Sequence, residues 1–246
     1  MMARFVLVHG AMGNASVWPP SFIAGLEAKG HTVEAFDLPA QGADPTPKED
    51  VTLQMYADRT VQQLRWRPEP AVLVGHSMGG MVVTQAADDF VAAGGELAQV
   101  VYLTAFLPRN GQSLLDLAGS PENAGDQVQA NLTVSGEPPI GVFDVEAAPQ
   151  ALFNTTSAEV LATLPATYME SQPIIPFTNP VTITDDRPLT RRFIFALQDL
   201  AIRPAMQRKM AAATAVVETV EIDADHMVFS SAPTELIEVL DRFARS

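Results

Sequence analysis

Short apolar runs alternate along this chain with stretches whose apolar residues recur three and four positions apart. The runs cover residues 5–10 (FVLVHG), 31–37 (HTVEAFD), 71–74 (AVLV), 99–106 (QVVYLTAF), 191–197 (RRFIFAL) and 215–222 (AVVETVEI). They are rich in β-branched and aromatic residues and bounded by turn formers, which predicts strands buried on both faces. Helical spacing marks residues 16–29, 51–66, about 81–93, about 205–213 and 233–243, the third of these halting at Gly94 and Gly95. Residues 37–50, DLPAQGADPTPKED, form a loop of Pro, Gly and Asp. No repeat and no low-complexity tract interrupts the order. Strands and helices in alternation predict an α/β fold: a mostly parallel sheet with helices on both faces.

One segment breaks the pattern. Ten of the 19 prolines fall in residues 108–188, where no strand is evident, and between Arg109 and Arg187 there are ten Asp and Glu but no Lys or Arg. A structureless loop of that length is uncommon inside a compact domain, so the expected organisation is a core of residues 1–107 and 189–246 with an inserted subdomain at 108–188. The insert leaves the sheet one strand after the motif described below. That would set it over the strand ends where open α/β sheets bind ligands, as a lid over the site. A surface insertion without that role is the alternative. Its apolar residues, Met169 and Phe177 among them, either line a pocket or pack the insert's own core.

At 246 residues the chain suits one large domain or a core with an insertion. A hydrophobic share of 47% against 18% charged describes a folded protein rather than a disordered one. The net charge of −14 argues against a nucleic-acid or anionic-membrane partner, because both demand a basic footprint. The absence of cysteine removes disulfides and thiolate chemistry, and four scattered histidines make no metal-ligand set. The first apolar run is too short for a signal-peptide core or a membrane span, so a cytoplasmic protein is expected. No glycine-rich loop has dinucleotide-binding spacing, and no cofactor is expected. The expected partner is a small molecule, with a homodimer left open.

The chemistry centres on LVGHSMGGM, residues 73–81. This G-x-S-x-G string follows a predicted buried strand and opens a predicted helix, the setting of a nucleophile elbow with Ser77 at the apex. Gly75 and Gly79 flank it because so tight a turn leaves no room for a Cβ. A glycine-rich turn with an incidental serine is the bland alternative. A serine hydroxyl is a poor nucleophile unless a base takes its proton. In this architecture the chain order is Ser, acid, His, which rules out His9 and His31. His76 adjoins Ser77, and adjacent side chains on an elbow diverge. His226, in IDADHMVF, remains as the base. Asp199 lies just past a late predicted strand, 27 residues before His226, and is the expected acid. Asp223 and Asp225 are too near His226 and read as turn formers, and Asp185 and Asp186 precede their strand. A tetrahedral intermediate needs two amide donors. Met78 N–H at the helix start is one, and Ala11 N–H in HGAMGNASVW the other, with Gly10 permitting close approach. His9 more naturally braces that loop.

The strings FVLVHGAMG, FDLPAQGADP, LVGHSMGGM, LTAFLP and EIDADHM resemble, in order and spacing, the methyl-esterase, salicylate-binding-esterase and hydroxynitrile-lyase branch of the α/β-hydrolase superfamily. The resemblance spans both ends of the core and the start of the insert, about two-thirds of the chain. It implies the α/β-hydrolase fold, Ser77, Asp199 and His226 as triad, and Ala11 and Met78 as oxyanion donors, the positions the residues had already indicated. The lyases of this branch carry Thr directly after the first-strand His and Lys directly after the catalytic His. Gly10 and Met227 stand there in this chain, as on the esterase side. The expectation is therefore a serine carboxylic-ester hydrolase for small neutral esters, with Gly10, Phe106, Leu107, Tyr168, Phe177 and Met227 around the substrate. Cyanohydrin cleavage at the same site, and a ligand sensor with little turnover, are the alternatives.

Overall fold

A computed structural model describes residues 2–163, 169–184 and 187–246. Its main sheet contains β1 (Arg4–Val8), β2 (Thr32–Ala35), β3 (Ala71–Ser77), β4 (Leu97–Ala105), β8 (Arg191–Ala196) and β9 (Glu218–Ile222), in the order β2-β1-β3-β4-β8-β9. Every pairing is parallel. The side-chain period of two sorts each strand between two cores. Phe5, Leu7, Val72, Val74, Val101 and Leu103 face one way, against Phe22 and Leu26 of helix α1 (Pro20–Ala28) and the apolar stripe of the last helix. Val6, Val8, Leu73, Val100, Tyr102 and Phe193 face the other, against α2 (Leu53–Arg65) and α3 (Gly79–Ala92). Each such side chain contributes about 1.5–3 kcal/mol on leaving water, more than a typical single hydrogen bond.

The expected helices form with shifted ends. Residues 15–17 make only a single 3-10 turn, and Pro19–Pro20 delays α1 to Pro20, where a missing N–H is harmless. The hydroxyl of Thr52 caps α2 by accepting from Met55 N–H. After the insert, helix α5 (Pro204–Ala212) joins β8 to β9, and α6 (Pro233–Arg245) closes the chain with Leu236, Leu240 and Phe243 buried. Among the described residues, no helix is long and apolar enough to cross a membrane.

The stretch between β4 and β8 departs from the sequence reading, which saw no strand there. It holds a three-stranded antiparallel sheet of β5 (Leu132–Ser135), β6 (Ile140–Phe143) and the two-residue β7 (Gln172–Pro173), with helix α4 (Leu114–Ala118) and several single helical turns. These strands escaped notice because they are short and because residues of β7 are separated from their partners in β6 by more than 30 positions. Pro173 is tolerated where it pairs at the end of a strand.

Chain order places the site. After β1 the chain moves outward to β2, then crosses back to β3 on the other side of β1. The crevice above the β1/β3 boundary is thus the switch point at which open α/β sheets receive ligands.

Candidate active site

Ser77 ends β3 with φ +56°, a left-handed conformation that costs a non-glycine residue about 1–2 kcal/mol. Its neighbours enforce it. A Cβ on Gly75 would lie 2.6 Å from the Gly79 carbonyl oxygen, and one on Gly79 would lie 2.6 Å from the Val8 carbonyl oxygen. The two motif glycines therefore let β3, α3 and β1 meet at the elbow, as the sequence predicts. Met78 follows as N-cap of α3, so its N–H is one of the helix-initial amides with no intrahelical acceptor.

His226 sits on the loop after β9 and Asp199 on the loop after β8, and both are buried. His226 Nδ1–H donates to Asp199 Oδ2 at 2.8 Å, which leaves Nε2 as the acceptor nitrogen. Asp199 is itself firmly held. Its Oδ1 accepts from the N–H groups of Ala201 (2.7 Å) and Ile202 (2.9 Å), and its Oδ2 also accepts from Gln207 Nε2 (3.2 Å) and the Thr104 hydroxyl. Thr104 reaches it through a bulge: His76 pairs with Leu103 and Ser77 with Ala105, so Thr104 is the extra residue of β4, at φ +37°. A β-branched residue at positive φ is a real outlier, and here the bend aims its hydroxyl at the acid.

Two further histidines surround the centre, both buried and both neutral. His9 Nδ1–H donates to the Gly10 carbonyl (2.8 Å), and its Nε2 accepts from Leu38 N–H (3.2 Å). Burial lowers its pKa against the upward pull of the Gly10 carbonyl, Asp37 and Glu170. It braces the loop, as expected. His76 Nε2–H donates to the His226 carbonyl (2.9 Å), its ring lies 4.6 Å from that of His226, and burial together with that neighbour holds its pKa well below 6.5. A Cβ on Gly10 would lie 2.8 Å from Ser77 Cβ and 3.1 Å from His76 Nδ1, so glycine is needed for the loop to approach the nucleophile.

Ser77, His226, His76, Gly10 and Ala11 line one cavity. The Ser77 hydroxyl makes no hydrogen bond to His226, a contact that in serine hydrolases commonly tightens in the Michaelis or transition-state complex. Phe106, Phe177 and Met227 line the cavity as the sequence reading expected, together with Met12, Val17, Leu114, Leu115, Val128, Leu152 and Met169. Leu107 does not: its side chain is buried in the core and its N–H points to Met210 Sδ. Tyr168, Asp185 and Asp186 lie outside the described residues. No lysine or arginine is among the lining residues. Among the described residues no group of histidines and acids is arranged to hold a metal.

Residues 5–239 match the alpha/beta hydrolase family. The chain belongs to that family. Methylesterase 7 of Arabidopsis thaliana is 31% identical to it over 270 residues, covering 98% of this chain and 97% of the relative. Probable esterase PIR7A of Oryza sativa subsp. indica is 30% identical over 257 residues, covering 98% and 96%. The alpha-hydroxynitrile lyase of Arabidopsis thaliana reaches 40% identity, but over 108 residues that cover 43% of this chain and 40% of the lyase. Among solved structures, a pyrethroid hydrolase from Sphingobium faniae JZ-2 has a TM-score of 0.89 at 24% identity, covering 100% of this chain and 98% of that one. Polyneuridine aldehyde esterase has a TM-score of 0.82 at 23% identity, covering 98% of each. Those two likenesses concern the fold alone. This α/β hydrolase stands in the methylesterase branch and is an enzyme of the carboxylesterase type.

The geometry adds residues to this hydrolase's site that sequence reasoning passed over. Asp225 is more than a turn former. Its Oδ2 accepts from the N–H and hydroxyl of both Thr155 and Thr156 at 2.9–3.0 Å, and its Oδ1 accepts from Met227 N–H at 3.0 Å. The insert is thus tied to the residue beside the candidate base. Thr104 carried one visible signal, a hydroxyl inside the apolar run of β4, whereas nothing in sequence links Thr155 and Thr156 to Asp225.

Proposed function

We propose that this hydrolase cleaves uncharged carboxylic esters by two-step acyl transfer through Ser77, His226 and Asp199. The observation that carries the reading is the buried Asp199–His226 pair at 2.8 Å opening, with Ser77, Gly10 and Ala11, onto a single apolar cavity. His226 Nε2 takes the Ser77 proton as Oγ attacks the ester carbonyl, and Asp199 stabilises the imidazolium. The oxyanion settles on the N–H groups of Ala11 and Met78. His226 returns the proton to the departing alcohol, and a water molecule then releases the acid by the same steps.

The cavity walls support this substrate class. An ester bearing a carboxylate would leave water for a cavity with no lining cation, and an uncompensated buried charge costs several kcal/mol. Of the ten acids in residues 110–186, only Asp126 lines the cavity among the described residues, and Gln129 occupies both its oxygens. Two of the others have structural tasks. Asp116 closes a capping box with Ser113, and Glu122 is drawn down to about 2 by Lys209 and Ser120. The apolar lining, more than the acid count, therefore supports neutral substrates. The insert supplies Leu114, Val128, Leu152 and Phe177 to that lining and serves as the lid. The missing cation also weighs against cyanohydrin cleavage, because departing cyanide would find no positive partner.

The test is pre-steady-state hydrolysis of p-nitrophenyl esters of increasing acyl length by wild type and Ser77→Ala, with mandelonitrile and cyanide detection in parallel. A burst followed by steady turnover, lost in the folded mutant, is the expected result. More than a few per cent of wild-type rate in Ser77→Ala would overturn the nucleophile. Cyanide release without ester turnover would favour the lyase, and saturable binding without turnover would favour a sensor.

A further inference from the structure

Gln172, the first residue of β7, is fully buried far from the triad in sequence, yet its side chain reaches the loop that carries Ala11. Its Oε1 accepts from Met12 N–H at 2.9 Å and from the Gln41 side-chain amide at 3.2 Å. Its Nε2 donates to the Pro173 carbonyl at 2.9 Å and to the Tyr56 hydroxyl at 3.1 Å. Burial pushes the Tyr56 phenol up to about 12, so that partner stays neutral across the working range.

The residue so held is unusual. Met12 is not glycine, yet it adopts φ +59°. Its N–H is taken by Gln172 and its carbonyl accepts from Glu170 N–H at 2.6 Å, so both of its backbone polar groups are fastened to the insert. The preceding peptide, Gly10–Ala11, is oriented from its other end, where the Gly10 carbonyl accepts from His9 Nδ1–H. Among the described residues nothing accepts from Ala11 N–H, and Ala11 lines the cavity beside Ser77. With the next amide committed to Gln172, Ala11 N–H is left free to face a substrate.

We propose that Gln172 is a positioning residue for the oxyanion hole. By capturing Met12 N–H it holds the Ala11–Met12 peptide in its left-handed turn, and this keeps Ala11 N–H where the substrate oxyanion forms. The insert then builds half of the hole as well as walling the cavity. Without an acceptor at residue 172, Met12 has a buried, unpaired N–H and a strained φ, and both are relieved by rotating the loop. Losing one oxyanion donor costs about 10²–10³ in kcat, and displacing a donor by about 1 Å costs up to about 10². The inference rests on the serine-esterase reading above.

The experiment compares full-length wild type with Gln172→Met, which keeps the length but removes the acceptor, and Gln172→Glu, which keeps the acceptor for Met12 N–H. Each is tested for kcat and KM on p-nitrophenyl butyrate, and for inhibition by a trifluoromethyl ketone, whose serine adduct carries the oxyanion. Gln172→Met is expected to lose 10- to 100-fold in kcat with KM within twofold, to bind the ketone more weakly by the same factor, and to be largely rescued in Gln172→Glu. If Gln172→Met does not fold, Gln172→Asn, one methylene too short to reach Met12, is read by the same criteria. Unchanged kcat, a loss confined to KM, or equal losses in the Glu and Met variants would overturn the proposal. Those results in an enzyme that Ser77→Ala silences would sink this inference alone, whereas ester turnover surviving in Ser77→Ala would sink the reading beneath it.

Discussion

Replacing Asp199 with Asn tests whether the acid works by fixing the His226 tautomer. The carboxylate accepts five hydrogen bonds: two from the N–H groups of Ala201 and Ile202 on Oδ1, and three from Thr104, Gln207 and His226 on Oδ2. An asparagine must turn its NH2 toward one set. Facing the two backbone amides it strands two immovable donors, at about 1–3 kcal/mol each. Facing the other set, it meets a Thr hydroxyl that can rotate and accept, and a His ring that can change tautomer. Only Gln207 is stranded there, since its amide is locked by Ala196 N–H on Oε1 and by the Ile202 carbonyl on Nε2. The second orientation wins by one stranded donor, so the variant should fold with a loss of about 1–3 kcal/mol. His226 would then accept at Nδ1 and carry its proton on Nε2, the wrong nitrogen for a base. That tautomer error lowers kcat by about 10⁴, or about 5 kcal/mol of transition-state stabilisation. Steady-state hydrolysis of p-nitrophenyl butyrate, with thermal melting on the same samples, measures both quantities. A folded Asp199→Asn enzyme retaining kcat within tenfold of wild type would refute the reasoning, and so would a loss of activity that merely tracks unfolding.

Two further outcomes follow from the same interior. Burial lowers the pKa of both His9 and His76 below the usual 6.5 of an imidazole, so the unfolded chain gains protons first as pH falls. Their contribution is intact above pH 6.5, and stability should then decline by up to about 1.4 kcal/mol per pH unit for each, until the lowered folded-state pKa is reached. Melting of Ser77→Ala between pH 7.5 and 5 should show the decline, and adding His76→Gln should make it shallower; equal slopes would argue against a neutral buried His76. Gly10→Ala should lower kcat at least tenfold in a folded protein, because the new Cβ would sit 2.8 Å from Ser77 Cβ and push the loop from the nucleophile. Wild-type kcat in that variant would show that the loop yields without consequence.

The core was legible because its signals are local. Buried parallel strands such as Arg191–Ala196 read as continuous apolar runs, and the elbow announces itself within five residues. Order along the chain and one eligible histidine pointed to His226, and the loop after a late strand to Asp199, the pair the fold brings to 2.8 Å. The insert was illegible for the complementary reason. Its strands are two to four residues long, Gln172 finds Gly141 across 31 positions, and its turns are fastened to distant loops rather than to themselves. Asp225 reads as a turn former because its sequence neighbours suffice for that role, while its actual partners, Thr155 and Thr156, lie about 70 residues away. Leu107 falls outside the pocket although Phe106 lines it, because consecutive residues leaving a strand point to opposite sides.

The ties between insert and core also bear on how such an enzyme could be re-engineered. Glu170 and Gln172 hold the loop after β1, Gln127 N–H and Asn123 Oδ1 hold the loop after β8 through Leu200 and Arg203, and Thr155 and Thr156 hold the loop after β9 through Asp225. A segment stitched to three loops of the candidate site is not a detachable module. Grafting a relative's insert onto this sheet would change turnover along with selectivity, unless those six positions travelled with their partners. Substrate range can be altered independently at apolar positions such as Leu114 and Val128, which line the cavity from the insert and whose side chains are not the ones that fasten it to these loops.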